Sequence, residues 1–196
     1  ALLVSGGHTS LYLVRAVGDY SEIAATRDDS AGEAFDKGAK MLGPGFPGGR
    51  IIDQLAKEGR ADAIAFPRAR VRADPMALSF SGLKTALWDH LQNQAGRETR
   101  EDLAASFQED IVDVLVDRCT RAMTHLDVPR LAVAGGVSAN SRLRARMTAE
   151  VAARGGEIRF PPLALCTDNA AMIAAAAQRR LSAGLPLDDV RATSRL

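Results

Sequence analysis

Thiol, imidazole and lysine are all scarce in this chain of 196 residues. The two cysteines, Cys119 and Cys166, lie far apart with no second thiol at metal-ligand spacing, which excludes a disulfide framework and a zinc ribbon and fits a reducing cytoplasm. The three histidines, His8, His90 and His125, are widely separated and form no His-x-x-x-His pair. The helix signature of a zinc protease, His-Glu-x-x-His, is therefore absent, and no Ser-His-Asp or Cys-His arrangement suggests a covalent nucleophile. No uninterrupted apolar run approaches the length of a membrane span, and no signal-type segment opens the chain. Charge of one sign is lacking too: the formal net charge is +1, so no global field draws the protein to nucleic acid. Arginine outnumbers lysine 21 to 4. Its two clusters, Arg68, Arg70, Arg72 and Arg142, Arg144, Arg146, read as solvated loop and helix faces.

What is present is a well-patterned soluble sequence, 46% hydrophobic and 25% charged, long enough for one sizeable domain or one lobe of a larger enzyme. Ala1 to Val4 reads as a buried strand ended by Ser5-Gly6-Gly7-His8-Thr9. Leu11 to Val17 and Tyr20 to Ala25 read as further strands. Ala31, Ala34, Phe35, Ala39 and Leu42 follow a helical period, with Ser30 or Asp29 as cap and Gly43 as stop. A loop from Pro44 to Gly49 opens into a short helix through Ile51, Ile52 and Leu55, closed by Gly59. Residues 61 to 78 read as irregular, and Leu83, Ala86, Leu87 and Leu91 mark a helix beginning near Ser81. Leu103, Phe107, Ile111, Leu115, Cys119, Ala122 and Leu126 trace a long core-facing helix with no chemistry of its own. A strand at Arg130 to Ala134, a helix from Asn140 to Arg154, a strand at Glu157 to Phe160 and a helix from Thr167-Asp168 to Gly184 complete the pattern. Strands alternating with long helices predict an α/β sheet with crossover connections.

Three glycine pairs stand beside a strand end or a helix start: Gly6-Gly7, Gly48-Gly49 and Gly135-Gly136. Such pairs let backbone amides approach an anion, with Ser5 and Thr9 as further donors, and phosphate is the natural guest. Each pair alone is weak, and neither the Rossmann nor the P-loop spacing is present. On pattern alone Asp36 and Lys37 belong to a solvated helix face, and Asp168 caps the last helix.

Six runs in a fixed order change the weight of these residues. They are Leu2-Leu3-Val4-Ser5-Gly6-Gly7-His8-Thr9, Asp29-Ser30-Ala31-Gly32-Glu33-Ala34-Phe35-Asp36-Lys37, Pro47-Gly48-Gly49, Phe80-Ser81-Gly82-Leu83-Lys84-Thr85, Ala134-Gly135-Gly136-Val137-Ser138-Ala139-Asn140 and Cys166-Thr167-Asp168-Asn169. Together they cover essentially the whole chain, which resembles the TsaD family of tRNA N6-adenosine threonylcarbamoyltransferases, once described as sialoglycoprotein endopeptidases. The resemblance implies an actin-like, Hsp70-like ATPase fold (ribonuclease H-like), of which this chain would form the second lobe, residues 1–165, and a C-terminal helix, 166–196. It implies transfer of the threonylcarbamoyl group from threonylcarbamoyl-AMP to the adenosine 3′ of the anticodon in tRNAs that read codons beginning with A. The implied partners are tRNA and proteins of the TsaB and TsaE type, in the cytoplasm and without a membrane.

Position by position, the resemblance makes Leu3, Val4, Ser5, Gly6 and Gly7 the strand and turn lining the substrate cleft. It gives Asp36, Gly49 and Asp53 the nucleoside side, and Asn140 completes the adenylate site. Asp168 becomes a ligand of one divalent ion, Fe2+ or Zn2+. The family's His-x-x-x-His ligands and first phosphate motif lie before the strand with which this chain begins, so the expectation is of a truncated enzyme with weak nucleotide binding and no transferase activity of its own. Two other readings remain, a non-catalytic subunit of the TsaB type and a small-molecule kinase of the same fold. The runs 31–37 and 166–169, with Asp36, Asn140 and Asp168 retained, favour the transferase.

Overall fold

The computed structural model describes residues 1–43, 45–66, 74–93 and 98–186. The first cluster of arginines, Arg68, Arg70 and Arg72, lies outside them.

Five strands form one sheet, β1 (Leu2–Val4), β2 (Thr9–Ala16), β3 (Asp19–Ala25), β4 (Arg130–Ala134) and β5 (Glu157–Arg159), in the order β3-β2-β1-β4-β5. The first three are an antiparallel meander, whereas β4 runs parallel to β1 and β5 parallel to β4. This is the strand order of the ribonuclease H-like lobe on which actin-like and Hsp70-like ATPases are built, as the resemblance implies. The parallel pairs require crossovers. Helices α1 (Ala31–Leu42), α2 (Gly48–Leu55), α3 (Ser81–Asn93) and α4 (Arg100–Leu126) lie between β3 and β4, and α5 (Ser141–Ala153) lies between β4 and β5. Helix α6 (Ala170–Ser182) follows β5.

Alternation along β1 and β4 turns Leu2, Val4, Leu131 and Val133 into the core. Leu3, on the opposite face of the sheet, is 36% exposed. The periodic residues of α4 from Leu103 to Ala122 are buried as the pattern predicts, against Phe35, Phe80, Leu83 and Leu143. Phe107 is fully buried where α1 offers Gly38, and a Cβ there would stand 2.4 Å from the Phe107 ring. Burial also pushes the Cys119 thiol up to about 12, so it behaves as a small apolar core residue.

The boundaries follow local chemistry. Ser30 caps α1, its Oγ accepting the Glu33 amide at 3.1 Å, and Gly43 ends it with a φ of 96°. Helix α2 stops at Leu55, short of Gly59. The last helix starts later than its sequence suggests: Asn169, not Asp168, is the cap, accepting the Met172 amide at 3.0 Å. Adjacent Asp and Asn are near-equal caps by propensity, so pattern alone does not choose between them.

Long α4 also carries chemistry that its apolar stripe conceals. Asp102 accepts the Arg60 amide at 2.8 Å, and Gln108 reaches across to α5. The second arginine cluster is not a solvated face. Arg142 clasps Glu109 of α4 through Nε at 2.6 Å and Nη2 at 3.0 Å, while Arg146 meets the same carboxylate and Asp113. Burial works to raise the Glu109 carboxyl, but the hydrogen bonds and charges of Arg142 and Arg146 outweigh it and hold it below the usual range. Arg144 donates to the carbonyls of Ser138 and Pro161, both at 2.7 Å, and lies over the Phe160 ring.

Candidate nucleotide-binding site

Adjacent parallel strands β1 and β4 end at the same edge of the sheet, and a glycine turn leaves each of them. This carboxyl edge is where α/β sheets form ligand clefts. The second turn packs on the first strand: Gly135, at φ 97°, sits so close to β1 that a Cβ would fall 2.3 Å from the Val4 carbonyl. Val4 itself is 0% exposed, covered by this packing.

From β1 the chain enters the Ser5–His8 turn. Ser5 Oγ accepts the amides of Gly7 at 3.4 Å and His8 at 3.1 Å. The start of α1 clamps this turn, since the Gly32 amide meets the Ser5 carbonyl at 3.2 Å and Ser30 Oγ donates to the Gly6 carbonyl at 2.7 Å. Thr9 is turned away from the cleft. Its hydroxyl is buried and accepts the Ala31 amide at 2.9 Å, which gives α1 a second side-chain cap.

Two carboxylates then link helices. Asp36 Oδ1 accepts the Gly48 amide at the start of α2, at 2.7 Å, so Asp36 is tied to the next helix rather than spread over a solvated face. Asp53 Oδ1 accepts both the amide and the hydroxyl of Ser141, the first residue of α5, at 3.2 and 2.7 Å. Among the described residues neither Asp36 nor Asp53 uses Oδ2 in a hydrogen bond. Asn140, 7% exposed, caps α5 by accepting the Leu143 amide at 2.9 Å and donates from Nδ2 to Gln108 at 2.7 Å. The contacts close a circuit: β1 turn to α1, α1 to α2 through Asp36, α2 to α5 through Asp53, and Asn140 back through Gly135 to β1.

The glycine pairs sort themselves within this circuit. Gly48 and Gly135 are packing glycines, each with backbone within 2.5 Å of a built Cβ. Their successors differ: a Cβ added at Gly49 would have nothing within 4 Å, and one at Gly136 only Thr167 Cγ2, at 4.0 Å. Gly6 and Gly7 are likewise open. Four open glycine positions therefore border the circuit, where a ligand can approach the main chain without meeting a side chain. Thr167 Cγ2 is the nearest side-chain atom to the open position at Gly136, and Asp168 follows it in the chain. Its carboxylate is exposed and makes no hydrogen bond or ion pair among the described residues. No group of three or more His, Cys, Asp or Glu that could hold a metal ion occurs among them either. One carboxylate does not amount to a metal site.

A separate cavity of about 350 Å3 lies at the opposite end of the sheet, by the starts of β1, β4 and β5, lined by Leu11, Leu13, Ile23, Met123 and Leu131 among others. It is mostly aliphatic and shares no residue with the circuit. Sequence reasoning missed Gln108 and Ser141. The position of Ser141 directly after a capping asparagine was the available signal for the second, and nothing in the pattern of α4 singled out the first.

The sequence model of the family described as TsaD, tRNA N6-adenosine threonylcarbamoyltransferase, matches residues 1–175. The chain belongs to the TsaD family. A tRNA N6-adenosine threonylcarbamoyltransferase of Anaeromyxobacter dehalogenans is 54% identical over 93% of the chain and 56% of that protein. Its namesakes in Magnetococcus marinus and Chromobacterium violaceum are 50% and 47% identical, over 94% and 95% of the chain and 53% and 56% of their own lengths. The chain thus spans about half the length of the TsaD relatives it matches. Among solved structures, the crystal structure of HypF from T. kodakarensis superposes with a TM-score of 0.59 at 15% identity, over 85% of the chain and 21% of that protein, and shares the fold. These matches favour the transferase reading over the kinase and partner-subunit readings. No helix among the described residues is long and apolar enough to cross a membrane.

Proposed function

We propose that residues 1–165 of this chain are the nucleotide-holding lobe for transfer of a threonylcarbamoyl group from threonylcarbamoyl-AMP to N6 of the adenosine 3′ of the anticodon, in cytoplasmic tRNA. Of the stretch 166–196, the described residues carry Asp168 and helix α6. The observation that carries the proposal is the closed circuit of Asp36, Asp53, Asn140 and the β1 turn around four open glycines.

Threonylcarbamoyl-AMP is a mixed anhydride. Attack by the tRNA amine on the carbamoyl carbon forms the new C–N bond and breaks the C–O bond to phosphate. The amine proton passes to solvent, and AMP leaves with the bonding pair. Main-chain amides of the glycine turns can offset the charge that develops on the phosphate, and no protein nucleophile is needed. In this reading Leu3, Ser5, Gly6 and Gly7 line the cleft, with Val4 buried behind them in the strand that carries the turn, while Asp36, Gly49 and Asp53 face the nucleoside and Asn140 the adenylate.

The divalent ion implied by the family, Fe2+ or Zn2+, would act as a Lewis acid when bound. Among the described residues Asp168 is its one candidate ligand and does not make a site alone, so no step runs through it. Partners of the TsaB and TsaE type belong to the same reading. The test has two arms. AMP should bind the chain weakly, as followed by NMR titration, and the chain incubated with threonylcarbamoyl-AMP and tRNA should yield no modified adenosine. Absence of AMP binding sinks the nucleotide reading, and turnover by the chain sinks the claim that its active site is incomplete.

A further inference from the structure

We infer that Ser141, which is outside the expected ligand-contacting set, is a positioning residue for the nucleoside side of the site, acting through Asp53. The inference rests on the nucleotide reading above.

Asp53 lies on α2 and Ser141 is the first residue of α5, 88 positions later. Both Ser141 donors, the amide at 3.2 Å and the hydroxyl at 2.7 Å, fall on one oxygen, Oδ1. The hydroxyl is not needed to start the helix, because Asn140 already caps α5. Nor does it rescue a buried group, since Ser141 is exposed and its donors can reach water. What two donors on one oxygen do is fix a torsion. The last torsion of an aspartate is broad and two-fold when free. Here it is pinned, which commits Oδ1 and leaves Oδ2 uncommitted. A ligand that uses Oδ2 then meets a carboxylate already ordered, and the ordering cost falls outside the binding step.

Position adds to the argument. Ser141 follows Asn140 directly, so the bond to Asp53 also fixes the distance between α2, with Gly49 at its start, and the turn that carries Asn140. The dipole of α5 favours a carboxylate at its N-terminus. This one comes from a different helix, so the favourable contact is available only when both helices are in place.

The experiment measures AMP affinity by NMR titration in the chain and its variants, with thermal stability measured in parallel. Ser141→Ala removes the hydroxyl donor and keeps the amide. It should weaken AMP binding about three- to tenfold, the scale of one hydrogen bond, with an unchanged Tm. Ser141→Thr should restore the affinity. In an Asp53→Ala background Ser141→Ala should make no further difference. Unchanged affinity in Ser141→Ala, a loss that adds fully to that of Asp53→Ala, or a loss that follows a fall in Tm overturns the inference. Gly49→Ala separates the two levels: it should weaken AMP binding whatever Ser141 does. If the unmodified chain does not bind AMP, or Gly49→Ala leaves binding unchanged, the nucleotide reading falls and this inference with it.

Discussion

At the scale of single residues, the glycine pairs offer a comparison in which neighbouring positions have opposite expected effects. Gly48→Ala puts a methyl 2.4 Å from the Asp36 Cα, in a contact that neither helix can vacate. Overpacking of this kind costs roughly 1–3 kcal/mol, and Tm should fall accordingly. Gly49→Ala meets open space within a helix, where alanine is favoured over glycine by about 0.5–1 kcal/mol, so Tm should hold or rise while AMP binding weakens. The second pair behaves alike: Gly135→Ala is strained by its φ of 97° and by the Val4 carbonyl, whereas Gly136→Ala should fold normally. Denaturation midpoints and AMP titrations of the four variants check this together. A Gly49→Ala or Gly136→Ala chain that binds AMP normally would remove the open glycines from the site. The pairing was legible in the sequence, but the division of labour within each pair was not, because it depends on backbone from Asp36 and Val4 that only the tertiary fold brings near.

At the scale of elements, α4 and α5 are joined by charge as well as by apolar packing. Glu109 is the hub, held below its usual value of 4.5 by Arg142 and Arg146 against the opposing effect of burial. A carboxyl whose folded value is depressed contributes stability that is complete above its unfolded value and is lost as pH falls through the folded one. Tm should therefore be level above about pH 5 and fall below pH 4.5, with Asp28, Asp74 and Asp102, also depressed, adding to the slope. Glu109→Gln should lower stability at pH 7 by roughly 1–2 kcal/mol, a figure already discounted for the exposure of Arg142, and should flatten the acid limb. Thermal melts from pH 3 to pH 8 decide it; a parallel downward shift with no change in slope would mean that Glu109 acts by shape and not by charge. The helices themselves were readable from periodicity and caps, since apolar spacing along α4 is a local property of the chain. Their cross-links were not. Arg142 and Arg146 looked like solvated arginines because the Glu109 they meet lies 33 and 37 positions away, and Gly38 gave no sign of the Phe107 ring above it.

At the scale of the whole molecule, stability is unevenly spread, and α6 is at its low end. Helix α4 runs for 27 residues through the core, whereas the 13 residues of α6 include none that is buried, with Ile173 left 62% exposed. The segment is held mainly at its ends. Before it, Cys166 is buried and takes a hydrogen bond from Arg144, and after it Leu185 lies against Gly18 at the tip of the β2–β3 hairpin. A helix of that length without tertiary packing is marginal in water, so its opening should cost little and should not require the core to open. Hydrogen exchange separates the two cases. Amides of Ile173 to Arg180 should exchange orders of magnitude faster than those of Phe107 to Leu115, and their rates should be insensitive to low denaturant, while the α4 amides should show the full denaturant dependence of global unfolding. Equal protection and a shared denaturant slope would mean that α6 folds as one unit with the sheet. The position of Asp168 depends on the outcome. If α6 opens locally, Asp168 keeps its place through the residues before it, since Cys166 is 4% exposed and takes a hydrogen bond from Arg144 Nη2 at 3.4 Å, and Arg144→Ala should then quicken exchange in α6 without affecting the α4 amides.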